Sequence, residues 1–246
     1  MTAFWIAMQF LTVFPVQLKQ IPSPQQNAQS LLFYPLIGML IGLVLFAIAL
    51  TLVKLPIILL STLLLVVWIW ITGGLHLDGL ADTADAWVGG FGDPEKTLRI
   101  MKDPSSGPIG VLSLLIVCVL KWSALYVLLE QQQLWLLILV PVLARLSPLI
   151  LFLTTPYVRE KGLGTAMSQY IPRKLSYVII AMTFGLCGFM GLWGLLLVIF
   201  STMTLWYLRA KFIRRIGGIT GDTIGATIEW VESVALFTMV CLLSLY

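Results

Sequence analysis

The sequence predicts an all-α integral membrane protein: a polytopic bundle of about seven transmembrane helices, with an N-terminal helix that is interfacial or partly inserted. Three observations predict it. The chain of 246 residues is 59% hydrophobic and only 11% charged, far below the ~25% charged residues of soluble domains. Its mean hydropathy is +1.00, and several apolar runs approach or exceed the ~20 residues that cross a bilayer as a helix. Its charges are confined to short stretches between those runs. One membrane-embedded domain over residues 1–246 accounts for all of this.

The segment MTAFWIAMQFLTVFPV is short and ends at Pro15, so it is placed at the interface or as a partial insertion. No basic residue precedes Lys19, unlike an ordinary signal peptide. Residues 31–53 form the first span and 55–72 the second. Residues 109–129 and 134–153 form the third and fourth. The run 177–208 is too long for one crossing at ~1.5 Å per residue. Gly185, Gly188, Gly191 and Gly194 divide it into two spans joined by a tight turn. The last span covers 223–246.

Charge sets the orientation. With the N-terminus in the cytoplasm, twelve of the fifteen basic residues fall in cytoplasmic segments: Lys19, Lys96, Arg99, Lys102, Arg159, Lys161, Arg173, Lys174, Arg209, Lys211, Arg214 and Arg215. Only Lys54 is in an outer loop, while Lys121 and Arg145 lie within spans. This is the positive-inside asymmetry. It also accounts for the net charge of +4 without a nucleic-acid partner, since the basic residues form no binding stripe. Cys118, Cys187 and Cys241 lie in separate apolar runs, with no metal or disulfide spacing.

The chemistry-bearing residues are sparse. Five of the six aspartates, Asp78, Asp82, Asp85, Asp93 and Asp103, fall between residues 78 and 103, and Asp222 stands in a glycine-rich stretch. Burying an unpaired carboxylate is costly, so the clustering points to a site that binds cations or handles protons. In GGLHLDGLADTADA (73–86), Asp78, Asp82 and Asp85 are spaced i, i+4 and i+7 and share one helix face. Three like charges on one face repel unless a cation sits among them. Hard divalent cations, Mg²⁺ first, take such oxygens together with water and substrate phosphates. The bland reading is a helix cap or a solvated acidic face. Gly79 leaves room for a substrate or another helix. His76, the single histidine, is read as a proton carrier, a substrate contact or a structural imidazole.

In RIMKDPSSGPIG (99–110), Arg99, Lys102 and Asp103 precede a turn that opens the third span. Free N–H groups and the helix dipole suit a phosphate there. The alternative is an ordinary cytoplasmic loop. In GGITGDTIGATIEWVE (217–232), Asp222 opens the last span as an N-cap or as a functional carboxylate. Glu229 and Glu232 lie inside that span, with Lys121 and Arg145 as candidate partners.

FYPLIG (33–38), GGLHLDGLADTADA (73–86), RIMKD (99–103), EKGLG (160–164) and GGITGDTIGATIEWVE (217–232) together resemble the cobalamin synthase family, the adenosylcobinamide-GDP ribazoletransferases. The resemblance covers nearly the whole chain. It implies a prokaryotic inner-membrane, multi-pass transferase with its active site facing the cytoplasm and with Mg²⁺ as cofactor. The implied substrates are adenosylcobinamide-GDP and α-ribazole or its 5′-phosphate, and the products are adenosylcobalamin or its 5′-phosphate and GMP. Carried onto the matching motifs, it puts metal binding on Asp78, Asp82 and Asp85, and catalysis on Asp82, Asp85, His76 and Asp103. Substrate binding falls to Arg99, Lys102, Gly217, Gly218, Thr220, Gly221 and Asp222; Arg145, within a span and outside those motifs, is read as a further substrate contact or a buried counter-ion. The partners are these substrates and the lipid bilayer; a homo-oligomer, or association with other cobalamin-assembly enzymes, stays open. Two rivals are a CDP-alcohol phosphotransferase-like lipid enzyme, which shares the metal logic, and a secondary transporter that uses Glu229, Glu232, Lys121 and Arg145 as coupling charges.

Overall fold

The computed structural model describes residues 2–18, 20–160 and 162–245; Lys19 and Lys161 of the charge count lie outside them. The described chain is helical: α1 (Thr2–Leu11), α2 (Pro24–Ser30), α3 (Tyr34–Thr51), α4 (Ile57–Ile71), α5 (Leu75–Gly89), α6 (Pro94–Ile100), α7 (Pro108–Glu130), α8 (Leu136–Thr154), α9 (Leu163–Tyr170), α10 (Arg173–Gly188), α11 (Gly191–Ile216) and α12 (Gly221–Ser244). A short 3₁₀ turn, Leu31–Phe33, joins α2 to α3.

Seven helices stand where seven crossings were expected, but they are not seven equal spans. Five helical segments are long and apolar enough to cross a membrane: Pro24–Thr51, Pro108–Glu130, Leu136–Thr154, Gly191–Ile216 and Gly221–Ser244. A sixth is reached if α4 and α5, bent by 86° at their junction, are taken together. α4 and α10 have 15 and 16 residues, which at ~1.5 Å per residue is short of a ~30 Å hydrocarbon core. The run 177–208 does break where expected: α10 ends at Gly188, and Gly191, at φ +60°, turns the chain into α11. α11 runs on to Ile216, so Arg209, Lys211, Arg214 and Arg215 sit in its last turns and not in a loop.

α8 is the central element, with most of its residues buried. Pro141, inside it, has no N–H, so the Leu137 carbonyl lacks its intrahelical donor. Gly42 of α3 packs on that carbonyl, where a Cβ would come within 2.6 Å. Gly38, one turn earlier, meets the Pro141 carbonyl in the same way. Small residues four apart allow this approach where lipid gives helices no hydrophobic reason to associate. α12 packs directly on α8, and also on α5, α11 and α7.

The two ends of the bundle differ. At one end Gln131, after α7, donates to Ser244 near the C-terminus of α12. The other end gathers α5, α6, the 155–160 segment, the C-terminus of α11 and the N-terminus of α12, and all six aspartates lie there.

Candidate active site

Gly73 and Gly74 make the bend that opens α5, at φ +62° and +68°, where a side chain would be strained. Beyond it, α5 crosses the start of α12 through two glycines. A Cβ on Gly79 would lie 2.8 Å from the Asp222 carbonyl oxygen, and one on Gly225 would lie 3.3 Å from the His76 backbone. So the room beside Asp78 is filled by a helix, and that contact brings Asp222 to the aspartate face.

The electrostatics record this convergence. Burial, then Asp78, Asp222 and Asp85, push the Asp82 carboxyl up to about 6, with Arg159 acting against them. A raised folded-state pKa means that the folded protein holds the proton more tightly than the unfolded chain. That contribution to stability is full below about 4 and is lost as pH rises through about 6. Asp82→Asn is therefore expected to stabilise the metal-free protein at neutral pH, by roughly 2 °C or more in unfolding midpoint, while removing activity. Melting in chelator at pH 5 and pH 7.5 checks it, and a destabilised Asn variant at pH 7.5 would contradict it.

Asp222 does not cap α12. Thr220 is the N-cap, in a reciprocal capping box with Thr223. The Asp222 carboxylate instead accepts from Arg159 Nη2 at 2.5 Å. Arg159 is held by backbone pairing: Val158 N–H donates to the Ile219 carbonyl at 3.0 Å, and Ile219 N–H to the Pro156 carbonyl at 2.9 Å. Gly218 serves this pairing, since its Cβ would lie 2.2 Å from the Pro156 carbonyl oxygen. Gly217 is the left-handed C-cap of α11. Gly217 and Gly221 both face open space and are exposed, and the Gly221 N–H meets the Tyr157 hydroxyl.

Asp85 is engaged by the next helix. The N–H groups of Gly107 and Gly110 donate to its two oxygens at 2.6 and 2.9 Å. Asp85 thus answers the positive end of α7, and those donors are not free for a phosphate. Asp93 caps α6 through the Lys96 N–H. Asp103 is exposed and accepts from the Ser105 N–H, which holds its carboxyl below the usual range. Asp103 therefore forms a local turn, apart from the carboxylate cluster. Arg99 and Lys102 are exposed on this end, next to Met101, whose sulfur accepts from Thr220 Oγ1.

His76 is buried, within electrostatic reach of Arg145 and Lys121, and neither ring nitrogen has a hydrogen-bond partner among the described residues. Arg145, expected at the phosphates or as a buried counter-ion, is the counter-ion. It has no exposed surface and pairs with Glu232. Lys121 bridges Glu229 and Glu232 and lies over the Trp68 ring. An apolar cleft of about 820 Å³ lies between α5, α7, α11 and α12. It is lined by Leu80, Thr83 and Trp87, which occupy the face of α5 opposite the aspartates.

Among the described residues no three carboxylate, thiol or imidazole side chains already stand in metal-holding geometry. The donor chemistry nevertheless fits a hard divalent cation. Asp78, Asp82 and Asp222 supply only oxygen, repel one another and have Arg159 as their cation, and Mg²⁺ typically uses one or two carboxylates plus water and phosphate.

A family profile described as Cobalamin-5-phosphate synthase matches residues 3–240. The chain belongs to this family. An Acinetobacter baumannii protein named Adenosylcobinamide-GDP ribazoletransferase is 58% identical over 240 residues, 98% of this chain and 97% of its own. Proteins of that name from Pseudomonas fluorescens and Pseudomonas aeruginosa are 48% and 49% identical, over 96% and 95% of this chain and 98% and 96% of theirs. No solved structure was found to match. In this member of the cobalamin-5-phosphate synthase family, the motif reading missed Arg159, Tyr157 and the Thr220–Thr223 cap. The one available signal was their place beside the EKGLG and GGITGD stretches.

Proposed function

We propose that the protein joins adenosylcobinamide-GDP to α-ribazole or its 5′-phosphate, releasing GMP, at the carboxylate site between α5 and α12. The observation that carries the site is the glycine-mediated crossing that sets Asp222 beside Asp78 and Asp82. Asp78, Asp82 and Asp222 would hold Mg²⁺, which when bound supplies positive charge to the pyrophosphate and its leaving oxygen. The ribazole 3′-hydroxyl forms the new P–O bond to the phosphorus nearest the cobinamide, and the P–O bond to GMP breaks. A carboxylate of the cluster that does not hold the metal receives the hydroxyl proton. Exposed Arg99 and Lys102 add positive charge at the same end, which favours approach of an anionic substrate.

The transporter reading is weaker. Its four interior charges, Lys121, Arg145, Glu229 and Glu232, balance two against two and are buried against one another. We place the carboxylate end in the cytoplasm of a prokaryotic cell, at the inner membrane, on the asymmetry of basic residues.

One experiment tests activity and sidedness. Everted inner-membrane vesicles given Mg²⁺, adenosylcobinamide-GDP and α-ribazole should release GMP, and sealed right-side-out vesicles should not until they are permeabilised. No release from either would sink the function, and release only from the right-side-out vesicles would reverse the orientation.

A further inference from the structure

We propose that Arg159 is a phosphate-binding residue of this site, and that the anion it takes is the pyrophosphate of the nucleotide-activated substrate; this rests on the transfer reading above. The position comes first. Arg159 Nη2 sits on Asp222, whose backbone lies against Gly79, next in sequence to Asp78. The guanidinium therefore stands at the rim of the carboxylate cluster, with 26% of its side chain exposed.

Its donors come next. A guanidinium carries five N–H donors in a planar fork that matches phosphate oxygens. The ion pair is made through Nη2, and Nε is buried without a partner among the described residues. A purely structural tie to Asp222 explains the first and leaves the second unanswered. A phosphate oxygen would satisfy the spare donors, while Asp222 keeps the fork oriented.

The backbone is equally suited. Arg159 follows the paired segment Pro156–Val158, and its carbonyl accepts from Thr165 Oγ1 at 3.0 Å. Arg99 and Lys102 form no ion pair among the described residues and have exposed side chains. Arg159 is a preset cation where they are diffuse ones. The need for it is electrostatic. Asp78, Asp82 and Asp222 repel a pyrophosphate, and a fixed positive fork beside them offsets this at the point of contact.

The test uses the full chain in nanodiscs, as wild type, Arg159→Lys and Arg159→Ala. Three quantities are read: KM for each substrate separately, the unfolding midpoint, and binding of GDP and inorganic pyrophosphate without turnover. Arg159→Ala should raise KM for adenosylcobinamide-GDP about 10-fold or more, as expected for loss of a charge-assisted phosphate contact. KM for α-ribazole should stay within about twofold, and the unfolding midpoint within about 2 °C. Arg159→Lys should recover part of the loss, because it restores the charge but not the fork. An unchanged KM for adenosylcobinamide-GDP overturns the proposal. So does an equal rise for both substrates with a lowered midpoint, which marks a structural anchor. If the wild type releases no GMP yet Arg159→Ala still weakens GDP and pyrophosphate binding, the transfer reading fails and the anion site stands.

Discussion

Asp222→Asn is expected to lower kcat/KM by two to three orders of magnitude, roughly the cost of removing one preorganised electrostatic group, with little change in stability. The side chains are nearly the same shape, and the Asn oxygen can still accept from Arg159. What is lost is the negative charge, and with it cation binding beside Asp78 and Asp82 and the full pairing of Arg159. Stability is spared because the end of α12 is closed by Thr220 and Thr223. The one helix term forfeited is the favourable carboxylate in the first turn, about 0.3–1 kcal/mol. Turnover and melting of the purified variant decide it: near-normal turnover would return Asp222 to a structural role. A collapsed midpoint would mean that the Thr220 box is insufficient.

Glu232→Ala is expected to cost about 3–5 kcal/mol of stability, the usual price of breaking a buried charge group by removing one partner. Glu232 faces Lys121 and Arg145 at once, and its side chain is fully buried. Removing it leaves two cations with Glu229 alone inside a bundle of apolar helices. The compensating variant is specific. Glu232→Gln with Arg145→Met removes one charge of each sign and leaves Lys121 on Glu229, so it should regain most of the loss. Denaturant unfolding in mixed micelles compares the three proteins. A double variant no better than Glu232→Ala would mean that packing around Arg145, not charge balance, holds α7, α8 and α12 together.

Much of this protein was determined by its sequence alone, because the relevant quantities are local. Hydropathy over ~20 residues marks a span whatever its neighbours, and the break near Gly188–Gly191 follows from length. The shared face of Asp78, Asp82 and Asp85 follows from 3.6 residues per turn. The pairing of Glu229 and Glu232 with Lys121 and Arg145 follows from the cost of a lone charge in an apolar bundle. Tertiary structure decided which partner each polar group took. Asp85 and Asp222 look alike in sequence, yet one is held by the amides of α7 and the other by Arg159. Gly79 offers room for a substrate or for another helix, and α12 takes it, while Gly218, a candidate substrate contact, packs on the backbone of the 156–158 segment. The lengths of α4 and α10, and the 86° bend into α5, likewise depend on packing. The physical reason is common to all of them. A hydrogen-bond donor or a glycine face can be satisfied by any chemically suitable neighbour, and only the distances between helices say which neighbour arrives.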